Sequence, residues 1–166
     1  MTTVFSIIAV VLAAALIALC LPRVVTVERS AQIAMPPAEA LELIASTDGF
    51  QTFNPYKTTD PKLVITPFGP DAGVGSGFRF EGKEGKGTQT VTAVTETSVT
   101  HLIDLGPMGQ PVQTFTVTPH AGGSEVVWSV TSDLGMNPIF RVFGLFMDRM
   151  LGKTYELGLR NLAKPA

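Results

Sequence analysis

Residues 137–162 read NPIFRVFGLFMDRMLGKTYELGLRNL, and the fold turns on what this stretch forms. Asn137 suits a helix N-cap, where its side-chain oxygen accepts from a backbone N–H that the first turn leaves without a partner. Pro138 suits the first helical position, because it has no N–H to leave unsatisfied and its φ is already helical. The pattern predicts one helix from Pro138 to about Leu162. Its first half carries Ile139, Phe140, Val142, Phe143, Leu145, Phe146, Met147, Met150 and Leu151, with only Arg141, Asp148 and Arg149 charged. That arc is wider than contact with one sheet requires. Core packing accounts for any one of these residues, while the arc as a whole is read as the lid of an apolar cavity or as a membrane contact.

Upstream, Lys62 to Phe68, Gly77 to Phe80, Thr88 to Glu96, Val99 to Leu105, Val112 to Pro119 and Ser124 to Asp133 are rich in threonine and valine. Glycine-bearing turns separate them, so six strands in succession are expected to form an antiparallel meander. Val126, Trp128 and Val130 alternate with Glu125, Ser129 and Thr131, and Phe115 and Val117 alternate with Thr114, Thr116 and Thr118. One face of each strand is therefore apolar. Val127 breaks the first alternation, so the outer face there is expected to be partly covered.

Before the meander, VVTVERSAQIAM (Val24 to Met35) alternates as a partly buried strand does. Pro36-Pro37 ends it and opens a helix, PPAEALELIAS, with Ala38, Leu41, Ile44 and Ala45 at helical spacing. Asp48-Gly49 is expected to break that helix. FQTFNPYKTTDP (Phe50 to Pro61) then reads as a short helical turn or loop holding three rings between Asn54-Pro55 and Asp60-Pro61. The order strand, helix, meander, long helix defines an α+β class.

Val4 to Leu21 runs without a charge. As a helix it would reach roughly 27 Å, near the thickness of a bilayer core. Residues 1–22 are read as a single, uncleaved transmembrane anchor and 23–166 as one domain, since Met-Thr-Thr supplies no basic leader and no small-residue cleavage site follows. A lipoprotein signal ending at Cys20 is the alternative, with Leu19 where a small residue is expected. Arg23 and Arg29 flank the run on the domain side, which favours the cytoplasmic face; Glu28 between them keeps the periplasmic face open.

A net charge of -2 without a basic block argues against a nucleic-acid partner. Cys20, the one cysteine, leaves no disulfide within the chain and no thiolate metal site. His101 and His120 lack metal-ligand spacing, so no metal and no cofactor is indicated. The glycine clusters at 73–77 and 82–87 lack the strand-loop-helix setting and Lys-Ser/Thr ending of a phosphate loop, and are read as turns. Glu81, Asp104 and Asp133 show no spacing that selects an acid/base pair. His101 shares parity with Val99, Ile103 and Leu105 and is expected to point inward.

Four stretches carry a resemblance: VERSAQIAMPPAEALELIASTDGFQTFNPY, GSGFRFEG, GSEVVWSV and MDRMLGKTYELGLRNLAK. Their order and local patterns resemble the SRPBCC superfamily, the START and Bet v 1-like helix-grip domains, in its polyketide cyclase/dehydrase-like branch. The resemblance implies a curved antiparallel sheet wrapped around the long C-terminal helix, with a largely apolar cavity between them. It implies a hydrophobic small molecule or lipid as the bound partner, and identifies no protein partner. Phe53, Tyr56, Phe80, Trp128, Phe143 and Met147 are the expected pocket walls, with His101 as a polar contact. Whether Phe53 and Tyr56 line a void or plug the open end of the sheet stays open at this stage. A cyclase- or dehydratase-type enzyme, and an interaction module like the activator of Hsp90 ATPase, are the alternatives the superfamily admits.

Overall fold

The computed structural model describes residues 5–6, 13 and 16–164. The expected membrane segment, 1–22, falls for the most part outside them. Among the described residues no helix is long and apolar enough to cross a membrane.

From Val24 the elements run β1 (Val24–Ile33), α1 (Pro37–Ala45), α2 (Thr47–Phe53), α3 (Pro55–Thr59), β2 (Val64–Phe68), β3 (Gly77–Gly82), β4 (Gly85–Val94) and β5 (Ser98–Asp104). A 3-10 turn (Gly106–Met108), β6 (Val112–His120), β7 (Gly123–Asp133) and α4 (Pro138–Leu162) complete the chain. The strands form one 7-stranded sheet in the order β1-β7-β6-β5-β4-β3-β2, with neighbours antiparallel. Strands β2 to β7 are the predicted meander. The first strand lies beside the last, with Val27 opposite Val130. A seven-stranded antiparallel sheet with a long C-terminal helix fits the helix-grip architecture.

Local chemistry moves several expected boundaries. Strand β1 stops at Ile33 rather than Met35, and β4 begins at Gly85 rather than Thr88. Gly82 pairs with Gly85, leaving Lys83-Glu84 as a two-residue turn, and Gly85 takes φ 128°, open mainly to glycine. Asp48-Gly49 does not break a helix. The break falls at Ser46, whose extended backbone ends α1 and whose hydroxyl accepts from the Gly49 N–H at 2.9 Å, capping α2. The three-ring stretch becomes two short helices jointed at Asn54.

The core fills one face of the sheet. Trp128, Phe115, Val99, Val117, Val126 and Val130 meet Ala40 and Ile44 of α1, Phe50 and Phe53 of α2, and Leu159 and Leu162 of α4. Val127, on the other face, is half-buried.

Helix α4 turns a narrower face inward than its apolar arc foretold: Arg141, Gly144, Met147, Gly152, Tyr155, Gly158, Leu159 and Leu162 are its buried residues. Glycine sets the approach. A Cβ at Gly144 would lie 2.5 Å from Leu134 Cδ1, and one at Gly158 would lie 2.4 Å from the Trp128 ring. Leu145, Phe146 and Ile139 remain exposed. Arg29 of β1 holds the middle of the helix, donating to Asp148 Oδ1 at 2.8 Å and to Glu156 Oε1 at 3.0 Å. Near the start, the buried Arg141 guanidinium donates to the carbonyls of Leu19, Leu21 and Gly135. It thereby ties the end of the uncharged N-terminal run to α4.

Candidate functional site

The joint at Asn54 decides where the rings go. Asn54 Oδ1 accepts from the Tyr56 N–H at 3.0 Å, its Nδ2 donates to Gln51 Oε1 at 2.9 Å, and Pro55 starts α3. The chain direction changes between Phe53 and Tyr56 as a result. Phe53 packs into the core, its ring centroid 6.1 Å from Phe115 and 6.3 Å from Trp128. Tyr56 lines a void. Phe50 does both, with 4.8 Å between its ring and that of Phe53.

That void is a cavity of about 550 Å³ between the sheet and α4. Its size falls within the ordinary range for small-molecule sites. Phe78 and Phe80 of β3, Ile103 of β5, Val130 of β7, and Phe140, Phe143, Met147, Leu151 and Tyr155 of α4 supply most of its wall. Met108 and Ile139, both exposed, stand on the wall as well. Polar groups reach it from Gln89 of β4 and Gln113 of β6, from the tyrosines, and from Asp60, Glu84 and Asp133.

Of the residues singled out in the sequence, Tyr56, Phe80, Phe143 and Met147 line this cavity. Phe53, Trp128 and His101 do not. They are 1%, 1% and 3% exposed and belong to the filled part of the core, where α1 and α2 cover the sheet. His101 sits among Phe50 and Phe115, with ring centroids 5.7 and 5.8 Å away. Burial pushes its pKa down to about 4, against the Ile44 backbone, which pulls it the other way. The ring is neutral at physiological pH, and its Nδ1 has no partner among the described residues.

Sequence reasoning missed Gln89, Gln113 and Tyr155. A signal was present for each. Gln113 shares parity with Phe115 and Val117, Gln89 shares parity with Val91, and Tyr155 follows Met147 and Leu151 at steps of four along the helix.

Burial raises the Tyr56 phenol to about 12, with the Glu84 charge adding to the effect. Burial likewise raises Tyr155, and Tyr56 adds to it. Both phenols are therefore protonated, neutral hydrogen-bonding groups. The carboxylates considered as acid/base candidates do not meet. Glu81 is exposed on the outer face, Asp104 accepts from the Gly106 N–H at 2.8 Å, and Asp133 is bound by Arg23 at 2.6 Å.

The chain belongs to the polyketide cyclase/dehydrase and lipid transport family, whose sequence profile matches residues 24–166. No curated protein sequence matches it. Solved structures share its fold at low identity. The protein CV1439 from Chromobacterium violaceum is 14% identical with a TM-score of 0.60, over 84% of this chain and 95% of that one. Ara h 8.0201 is 18% identical with a TM-score of 0.57, over 85% of this chain and 99% of its own. The di-domain ARO/CYC StfQ from the steffimycin biosynthetic pathway is 12% identical with a TM-score of 0.60, over 84% of this chain and 49% of that one.

Proposed function

We propose that this protein is a membrane-anchored, non-catalytic binding domain that holds a hydrophobic small molecule or lipid between its sheet and α4. The observation that carries the reading is the apolar cavity of about 550 Å³, left open beside a core that is otherwise closely filled. Burying apolar ligand surface there would contribute about 25 cal/mol per Å² before ordering costs. Tyr56, Phe80, Phe143 and Met147 act as the walls. The non-catalytic part rests on the chemistry of the facing groups, which are amides, neutral phenols and rim carboxylates. The anchor rests on the uncharged run from Val4 to Leu21 and on the hold of Arg141 on Leu19 and Leu21. Arg23 and Arg29, on the domain side of the run, support the cytoplasmic face in this reading.

The test uses N-phenyl-1-naphthylamine, a neutral dye that fluoresces in apolar surroundings, with the full chain in mild detergent. Saturable binding, weakened more than tenfold by Met147→Trp with the melting temperature retained, is expected. Absence of binding, or binding indifferent to Met147→Trp, sinks the proposal. For the anchor, the full chain is expected in the membrane pellet and a chain starting at Arg23 in the supernatant; equal partition rejects it.

A further inference from the structure

Two buried amides on the floor of the cavity have an unpartnered nitrogen. Gln89 and Gln113 are 6% and 2% exposed, and the Nε2 of each has no hydrogen-bond partner among the described residues. They flank β5 on its inward face, Gln89 opposite Ile103 and Gln113 opposite His101, and both line the cavity. A buried N–H without an acceptor costs stability that an apolar side chain of similar shape would not. Leucine would serve the fold better at either position. Gln51 Nε2 and Trp128 Nε1 are unpaired as well, but neither residue lines the cavity, whereas Gln89 and Gln113 do and can meet an acceptor held there. His101 does not supply it, for its Nδ1 is itself buried and unbonded.

Charge narrows what that acceptor is. Asp60, Glu84 and Asp133 line the cavity, Asp133 paired with Arg23, and among the described residues no lysine, arginine or histidine lines it. A carboxylate or phosphate carried inward would pass these acids and find no cation at the floor, and an unpaired buried charge costs far more than a neutral polar group. A carbonyl or hydroxyl oxygen accepts from an amide without that cost.

Resting on the binding reading above, we infer that the cavity selects neutral, oxygen-bearing hydrophobes, whose carbonyl or hydroxyl oxygens accept from Gln89 and Gln113, over fatty-acid anions and over bare hydrocarbons. The amides stand on strands roughly 10 Å apart, two strand spacings, so a ligand with a single oxygen engages one of them and a longer one with two oxygens engages both.

Displacement of N-phenyl-1-naphthylamine from the full chain by decan-2-one, decane and decanoate tests this. Relative to Q89L/Q113L, the unaltered protein is expected to favour decan-2-one over decane by about fivefold to tenfold, the contribution of one neutral hydrogen bond, and decanoate is expected to compete worst. In the double variant Q89L/Q113L, with displacement measured against the variant's own dye affinity, this gain for the ketone over decane is expected to vanish and the melting temperature to stay level or rise. Decanoate matching or beating decan-2-one in the unaltered protein overturns the inference, as does a ketone-to-decane ratio that is unchanged in the double variant. A melting temperature lowered by several degrees in that variant overturns it too, because the amides would then be bonded within the fold. Failure of the unaltered protein to bind the dye is a different result: it removes the binding reading itself and the selectivity with it.

Discussion

The indole of Trp128 on β7 stacks on the phenol ring of Tyr155 on α4, with ring centroids 4.7 Å apart and 19° between the planes. Trp128 belongs to the filled core and Tyr155 also lines the cavity, so this pair is the partition between the packed and open halves of the interior. The stack needs the helix close to the sheet, and Gly158, less than one turn beyond Tyr155, allows it.

Gly158→Ala tests that closeness. The new methyl would meet the Trp128 ring at 2.4 Å and Pro55 Cδ at 3.1 Å. Destabilisation of roughly 1–3 kcal/mol is expected by urea unfolding, the usual cost of overpacking. Since Trp128 is the one tryptophan, its emission should shift as well. A variant as stable as the parent would show that the helix stands off the sheet.

Tyrosine ionisation gives a second check, because Tyr56 and Tyr155 are the only tyrosines. Both are raised above the ordinary 10.0, Tyr56 to about 12. The folded protein should therefore show almost no phenolate absorbance near 295 nm at pH 10, while in urea-unfolded protein about half of each tyrosine is ionised. Folded phenols hold their protons where unfolded ones lose them, so this stabilisation is complete below pH 10 and fades as pH rises towards 12. Ionisation of either ring at pH 10 without unfolding contradicts the buried placement.

His101 titrates in the opposite sense. Its pKa falls from 6.5 in the unfolded chain to about 4 in the fold. Between those values the unfolded state binds the extra proton, so stability is full above pH 6.5 and declines as pH falls towards 4. The loss is up to about 3 kcal/mol, at 1.36 kcal/mol per unit. His101→Leu is expected to flatten the dependence in that window. The carboxylates with lowered pKa values, Asp60, Asp133 and Asp148, titrate below it. An unchanged slope in His101→Leu would place the titrating group elsewhere.

Arg141→Ala removes the donor that holds the Leu19, Leu21 and Gly135 carbonyls. Hydrogen bonds from a charged group are worth about 1.5–3 kcal/mol each where buried, so amide exchange around residues 19–23 should accelerate at least tenfold. Exchange in β5 and β6 should be unaltered. Unchanged protection at 19–23 would mean that Arg141 does not secure the segment.

Much of the fold was legible because burial on one side imprints a period. The alternation in β6 and β7, the Pro-Pro helix start and the Asn137-Pro138 cap, with Asn137 Oδ1 accepting from the Ile139 N–H at 3.0 Å, are local chemistry readable in a line of residues. The site was legible in part. Tyr56, Phe80, Phe143 and Met147 announced themselves as apolar or aromatic residues near glycine and proline punctuation. Trp128 and Phe53 announced themselves in the same way, although they fill the interior instead of facing its void. An aromatic residue reads alike in either place.

Sequence alone determined the α+β class, the order of elements, the antiparallel meander and the long closing helix, since each follows from spacing, capping and turn chemistry between near neighbours. Only the tertiary structure decided which rings face the cavity, that the Nε2 atoms of Gln89 and Gln113 have no partner among the described residues, and that Gly144, Gly152 and Gly158 set how closely α4 approaches the sheet. Those outcomes depend on how closely a helix approaches a sheet and on what strands distant in sequence bring side by side, distances that no local pattern records.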